Sequence, residues 1–328
     1  MSKQNLLSLL EAEAGEYVSG EEISRKLNVS RTAVWKQVRK LEADGYLIEA
    51  VPRLGYRLTG KPSRLSLQEL LPKLRTKRFG RKLHLLDVIP STQDELRRLA
   101  EQGAEEGTLV IAEQQTSGRG RMGRHWVSPS GKGVWMSLLL RPSVPLQMTP
   151  QLTLLAAVAL SRAISREVPV EIGIKWPNDL LVGGKKISGI LLESAAEDER
   201  LRYVVVGLGI SVNLEAEDYP EELLEKVVSL KMASGKTINR SDLIATILDE
   251  FERLYDLYME QGFAPIRSLW EAHSVTLNNE TLLYTPQGPI QGIPRGLDGT
   301  GGLQVEMKDG SFRTIYSAEI GEVGPRVD

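Results

Sequence analysis

The stretch RHWVSPSGKGVW (124–135) constrains this chain more than any other, because it forbids a helix where one common fold would need it. Just upstream, Gly118-x-Gly120-x-x-Gly123 spells the letters of a dinucleotide-binding loop, and the strand-like run TLVIAEQQ (108–115) precedes it. Such a loop holds a pyrophosphate only when a helix N-terminus follows the glycines. Pro129 lacks an amide hydrogen and Gly131 and Gly133 lose the most entropy on ordering, so no helix of any length can follow here. The doubly wound reading fails on context. SGKT (234–237) fails as a Walker loop as well, since Leu230 stands where its first glycine belongs.

The remaining patterns point to an α+β, multidomain chain. HLLDVI (84–89), VWMSLLLR (134–141) and RYVVVGLGISVN (202–213) are apolar and β-branched, as strands require, and LLVGGKKISGILLES (180–194) reads as a hairpin turning at Gly183-Gly184. TPQLTLLAAVALSRAIS (149–165) opens on Thr-Pro and reads as a buried helix. Many strands with few helices between them predict a central α+β domain with a mixed, largely antiparallel sheet. After residue 275, short strands broken at Asp298-Gly299 and Asp309-Gly310 suit a small SH3-like β barrel.

The first sixty residues differ. Leu6, Leu7, Leu9 and Leu10 give a helix ending near Gly15; Ser19 can cap a second, carrying Ile23 and Leu27; Asn28-Val29 turns the chain. Ser30 can cap a third helix, with Val34, Val38 and Leu41 inward and Gly45 as its stop. YLIEAVPRLGYRLTG (46–60) reads as a hairpin with Arg53 near its tip and Arg57 on the return strand. This is a winged helix-turn-helix order. Over all 328 residues the net charge is only −2, so nucleic-acid binding has to come from a local patch. Residues 31–40 hold Arg31, Lys36, Arg39 and Lys40 without an acid, whereas the preceding helix carries Glu21 and Glu22. Ser30, Arg31, Thr32, Trp35, Lys36, Arg39 and Arg53 are therefore the expected DNA-binding set, a solvated basic face being the alternative. KPSRLS (61–66) reads as a linker. The expected domains are 1–62, 63–274 and 275–328.

The chain has no cysteine, which excludes disulfides, thiolate metal sites and cysteine nucleophiles. The N-terminus lacks a signal-peptide core, and Leu152–Leu160 falls short of the ~20 residues a bilayer span needs, so a cytoplasmic protein without a membrane partner is expected. Arg119, Arg121 and Arg124 in SGRGRMGRHW (117–126) repel one another when brought close; either the segment is a solvated turn, or glycine amides and guanidinium groups cradle an anion. Ser91 and Thr92 are N-cap candidates, with Asp94 or Glu95 completing a capping box, and capping leaves their hydroxyls available to a ligand. In IKWPNDLLV (174–182), Lys175 ends a strand and Pro177 presents Asn178 and Asp179; Asp179 is either a turn residue or a holder of Mg²⁺ beside a triphosphate. With Lys186, these cations suit a highly charged anionic substrate.

Together, STQ (91–93), QTSGRGRMGR (115–124), KWPNDLLV (175–182), KKISGIL (185–191) and GLGISVN (207–213) resemble the bifunctional biotin–protein ligases that double as biotin operon repressors. The resemblance runs over nearly the whole chain. It implies a biotin–[acetyl-CoA-carboxylase] ligase: biotin and Mg-ATP give biotinyl-5′-AMP, and a lysine of a biotin carboxyl carrier protein then takes the biotin. It also implies a homodimer, formed when the adenylate is bound as corepressor, that represses biotin genes by binding operator DNA. No tightly bound metal is implied. Carried over, Ser91, Thr92, Gln93, Gln115, Gly118, Arg119, Gly120, Arg121 and Lys186 would bind biotin. Arg119, Arg121, Arg124, Trp126, Lys175, Asn178, Asp179, Ser211 and Asn213 would bind the nucleotide, and Lys175, Lys186 and Arg121 would be catalytic. One departure is visible: Ser211 replaces the first asparagine of the family's GxGxNxN pattern, and Asn213 is kept. A sensor without catalysis and a lipoate ligase are the competing readings.

Overall fold

The computed structural model describes residues 3–13, 15–43, 46–60, 64–197 and 200–326. The chain forms two compact units, Met1–Glu69 and Leu70–Asp328. The expected helix stop at Gly45 and the first half of the 61–66 linker lie outside the described residues.

The first unit contains α1 (Lys3–Ala12), α2 (Gly20–Leu27), α3 (Arg31–Ala43), β1 (Leu47–Val51) and β2 (Gly55–Gly60). Ser19 Oγ caps α2 by accepting from Glu22 N at 3.1 Å, and Asn28 adopts the left-handed conformation that ends it. Ser30 Oγ does the same for α3, accepting from Ala33 N at 3.2 Å. Ile23, Val34, Val38 and Leu41 meet Leu6, Leu10, Val18 and Tyr46 in one small core. The hairpin docks on that core through Val18, which pairs with Tyr56. Gly55 is required there: its φ is +112°, and a Cβ would lie 2.1 Å from the Val18 carbonyl oxygen.

The second unit begins at the short turn α4 (Leu67–Leu70), which spans the boundary. Then come β3 (Leu83–Ile89), α5 (Thr92–Glu101), β4 (Leu109–Gln115), β5 (Val134–Leu140), α6 (Thr149–Glu167), β6 (Gly173–Lys175), β7 (Asp179–Val182), β8 (Lys185–Glu197) and β9 (Arg200–Ile210). The sheet order is β3-β4-β5-β9-β8-β7-β6, parallel only between β3 and β4. β5 is buried along its length, which explains why it lacks polar alternation. α6 packs against the sheet on one side and α8 (Arg240–Gln261) on the other. Leu152, Leu154, Leu155, Leu160 and Ile164 are at most 1% exposed, each burial contributing about 1.5–3 kcal/mol. The short α7 (Leu230–Ser234) precedes α8, and α9 (Ala264–His273) follows it.

The last strands, β10 (Asn279–Thr285), β11 (Gly288–Leu297), β12 (Leu303–Glu306), β13 (Phe312–Ile315) and β14 (Glu319–Arg326), form an antiparallel sheet ordered β13-β12-β11-β10-β14. The ladder runs from β13 to β14 among the described residues, an antiparallel β-rich module consistent with the expected SH3-like barrel. Glu271 Oε1 accepts from Leu297 N at 3.0 Å and Gln151 Nε2 donates to Gly299 O at 2.8 Å, which fastens this sheet to α9 and α6.

Candidate active site

One cavity of about 350 Å³ lies within the second unit, in the range of small-molecule sites. Its floor is made by missing side chains. Gly207 and Gly209 alternate on β9 and face the same side, with Gly189 on β8 beside them. A Cβ on Gly209 would lie 2.6 Å from Trp126 Nε1, and one on Gly207 would lie 2.8 Å from Gln93 Oε1. The sequence marks GLGISVN (207–213) as strand and as a family motif, and the two glycines at strand spacing are its signal for this floor.

A network of neutral hydroxyls and amides, closed by the Glu193 carboxylate, fills one end. Ser91 caps α5 by accepting from Gln93 N. Thr92 donates its N–H and its hydroxyl to Gln115 Oε1 at 2.9 and 3.1 Å, while Gln115 Nε2 donates to Ser128 Oγ at 3.1 Å. Ser137 Oγ sits 2.8 Å from Thr92 Oγ1 and 2.9 Å from Gln93 Oε1, and Gln93 Nε2 donates to Glu193 Oε2 at 3.0 Å. Ser91, Thr92, Gln93 and Gln115 are thus brought together; Ser128, Ser137 and Glu193 were not anticipated. The expected capping box is absent from this turn. Asp94 instead meets Arg119 and Arg97, because two guanidinium groups outcompete one backbone amide.

The cations occupy the other end. Lys186 Nζ is 2.7 Å from Asp179 Oδ1, off the hydrogen-bond axis, and 5.1 Å above the Trp126 ring. Lys175 donates to Ile320 O at 3.4 Å, and burial holds its ammonium below the usual lysine pKa, Asp179 opposing this and Lys186 adding to it. Arg121 donates to Asn178 Oδ1 and Ser317 Oγ, both at 3.2 Å, and burial again lowers its pKa, against the pull of Asp179 and Glu319. Among the described residues neither Lys175 nor Arg121 has a carboxylate within ion-pair distance. Asn178 is fixed by Ile190 O at 2.9 Å.

The mutual repulsion of the loop arginines, expected to call for an anion, is relieved mainly by protein carboxylates. Arg119 is held by Asp94 and Glu193, and Arg124 by Glu319; only Arg121 lacks one. Two of the expected site residues are not among those that line the cavity. Gly118 does not line the cavity: its carbonyl accepts from Trp126 N at 2.8 Å, and a Cβ there would meet Trp126 O at 2.6 Å. Asn213 also lies outside the lining, because both of its amide groups are spent on the backbone of Ile238 at 2.9 Å. Ser211 does line it. So do Tyr219, Leu223, Lys226 and Val227 on one wall and Ala318, Glu319 and Ile320 on another, all unanticipated. The buried Trp126 Nε1 has no hydrogen-bond partner among the described residues.

On the first unit, Ser30, Arg31, Thr32, Lys36 and Arg53 are exposed, and Trp35 is 50% exposed with Arg39 stacked 5.6 Å from its ring. The expected acid-free basic face is modified: Arg31 reaches Glu21 at 2.7 Å and Arg39 reaches Glu42 at 3.0 Å. The Arg31–Glu21 pair is largely exposed, hence weak and replaceable.

The biotin/lipoate A/B protein ligase family matches residues 85–211, an HTH domain matches 3–57, and the biotin protein ligase C terminal domain matches 276–320. The bifunctional ligase/repressor BirA of Bacillus spizizenii is 46% identical over 97% of this chain and 98% of its own, and that of Escherichia coli 30% identical over 93% of each. The biotin protein ligase of Aquifex aeolicus, solved with biotin and ATP, superposes with a TM-score of 0.64 at 30% identity, covering 74% of this chain and 98% of that one. With curated relatives of this identity matched along nearly their full length, the chain belongs to the bifunctional biotin ligase/repressor family.

Proposed function

We propose that the cavity condenses biotin with ATP and that the winged helix makes the same chain a repressor of biotin genes. The observation that carries the enzymatic half is the asymmetry of the cavity. Neutral donors and acceptors from Ser91, Thr92, Gln93 and Gln115 gather at one end, as a ureido ring requires; Lys175, Arg121 and Lys186 gather at the other, where two anions must meet. A biotin carboxylate oxygen attacks the α-phosphorus of ATP, the bond to pyrophosphate breaks, and biotinyl-5′-AMP remains. The amine of a carrier-protein lysine then attacks the acyl carbon; the C–N bond forms and AMP leaves. The cations offset the repulsion between carboxylate and phosphate and hold the charge of the transition state.

The nucleotide residues in this reading are Arg121, Lys175, Asn178, Asp179, Trp126 and Ser211, with the backbone of Arg119 and Gly120 over biotin and Arg124 at the rim. Mg²⁺ fits as a companion of ATP: Asp179 offers one carboxylate, and a hydrated Mg²⁺ on a polyphosphate needs no more than one or two. The functional division is 1–62 for DNA, 63–274 for catalysis and 275–328 for the third wall of the site. In the repressor role, the adenylate favours a homodimer that presents two winged helices to a two-fold operator.

Biotin-dependent ATP–pyrophosphate exchange tests the enzymatic half; no exchange by the purified chain leaves only a sensor. Arg121→Gly is expected to speed adenylate dissociation about 10- to 100-fold, since it removes a charge-assisted hydrogen bond worth roughly 1.5–3 kcal/mol and loosens the turn. Dissociation at the wild-type rate would remove Arg121 from the site. For the DNA half, replacing Arg31 and Lys36 by Ala should weaken operator binding and reduce the salt slope by about two units, one for each phosphate no longer neutralised. An unchanged slope would place the DNA face elsewhere.

A further inference from the structure

We propose that the Arg119 guanidinium is a fastener for the loop over the cavity and not a ligand for substrate; the proposal rests on the adenylate-forming function above. Arg119 Nη1 and Nη2 bind Asp94 of α5 bidentately at 2.7 and 2.9 Å, and Nη2 also meets both oxygens of Glu193 on β8 at 3.2 and 3.1 Å. A guanidinium between two carboxylates has no net charge left to offer a phosphate. The Arg119 contact holds the Asp94 carboxyl below its ordinary range, so the link persists through neutral pH.

The turn is internally closed. Gly120 N donates to Arg124 O at 2.7 Å, and Arg119 bridges to His125. The turn is tied down by two ion-paired anchors, Arg119 on α5 and β8 and Arg124 on Glu319, and by the neutral hydrogen bonds of Arg121 to Asn178 and Ser317. Arg121, the arginine without a carboxylate, lies between them and lines the cavity. Glu193 also receives Gln93 Nε2, which joins the first anchor to the biotin end of the site. Arg119 thus acts as a positioning residue that sets how long the loop stays down over the adenylate.

Asp94→Asn separates the two roles by sign, because Asp94 itself does not line the cavity. If Arg119 bound the phosphate, releasing it from Asp94 would strengthen that contact and slow adenylate escape. As a fastener it must let the adenylate go faster, by about three- to tenfold, with the pyrophosphate-exchange rate at saturating substrates within twofold of wild type. Asp94→Glu should restore slow release. In the ligand-free protein, trypsin should cut at Arg119, Arg121 or Arg124 faster in Asp94→Asn than in wild type, a readout that needs no adenylate. Slower or unchanged escape, or unchanged cleavage, overturns the fastening role while leaving the functional reading intact. Failure of the wild type itself to retain biotinyl-5′-AMP overturns both. Asp94→Ala, which removes the same anchor, provides the second variant should Asp94→Asn unfold.

Discussion

Lys186→Met is expected to lower biotin-dependent ATP–pyrophosphate exchange by about 10²- to 10³-fold, the loss usual for one preorganised charge aimed at a developing anion. The lysine stem crosses Gly189, whose missing Cβ leaves it room, and the ammonium is held between Asp179 and the Trp126 ring. Bound there, it costs no reorganisation when carboxylate and phosphate approach. Methionine keeps the volume and removes the charge, so the effect is electrostatic. Because Asp179 is then left without its partner, the carboxylate adds repulsion where ATP must sit, which pushes the effect toward the upper end. Affinity for preformed biotinyl-5′-AMP should fall less than the exchange rate, since a group that acts in the transition state weighs on the chemical step. Exchange within threefold of wild type would pass the role to Lys175 and Arg121.

The sequence made the elements legible because each carries a local signal. Ser19, Asn28 and Ser30 punctuate the helices by backbone chemistry that needs no tertiary partner, and β-branched runs mark the sheet. The loop segment was rightly denied a helix by Pro129, Gly131 and Gly133, and a strand, β5, follows it. The cations of the site were legible as types but not as states. That Arg119 and Arg124 are neutralised while Arg121 is not depends on Asp94, Glu193 and Glu319, which lie far from them in sequence and carry no motif. Asn213 shows the converse. It sits in a family pattern, and its amide also closes a backbone contact with Ile238 that the pattern does not announce. The walls from Tyr219 and Ile320 are brought in by long-range packing, which no periodicity encodes.

The same distinction yields the largest stability effect. Arg240→Met is expected to destabilise the second unit by about 3–5 kcal/mol, the cost of stranding one member of a buried ion pair. The Arg240 and Glu113 side chains are only 5% and 3% exposed and meet at 3.0 Å. Their spare groups are spent on the segment leading away from the arginine loop: Gly131 N donates to Glu113 at 3.1 Å, and Arg240 Nη1 donates to Gly133 O at 3.0 Å. Thermal unfolding should shift down by roughly 6–20 °C, at 2–4 °C per kcal/mol for a unit of this size. Adding Glu113→Leu should recover part of the stability, because an apolar pair of similar volume needs no partner. A residual deficit of about 1–3 kcal/mol should remain from the unpaired Gly131 amide and Gly133 carbonyl. Single effects that simply add in the double variant would mean that the two side chains do not depend on each other. Strong coupling would identify this pair, buried where no ligand reaches, as the footing from which the mobile chemistry of the loop is held.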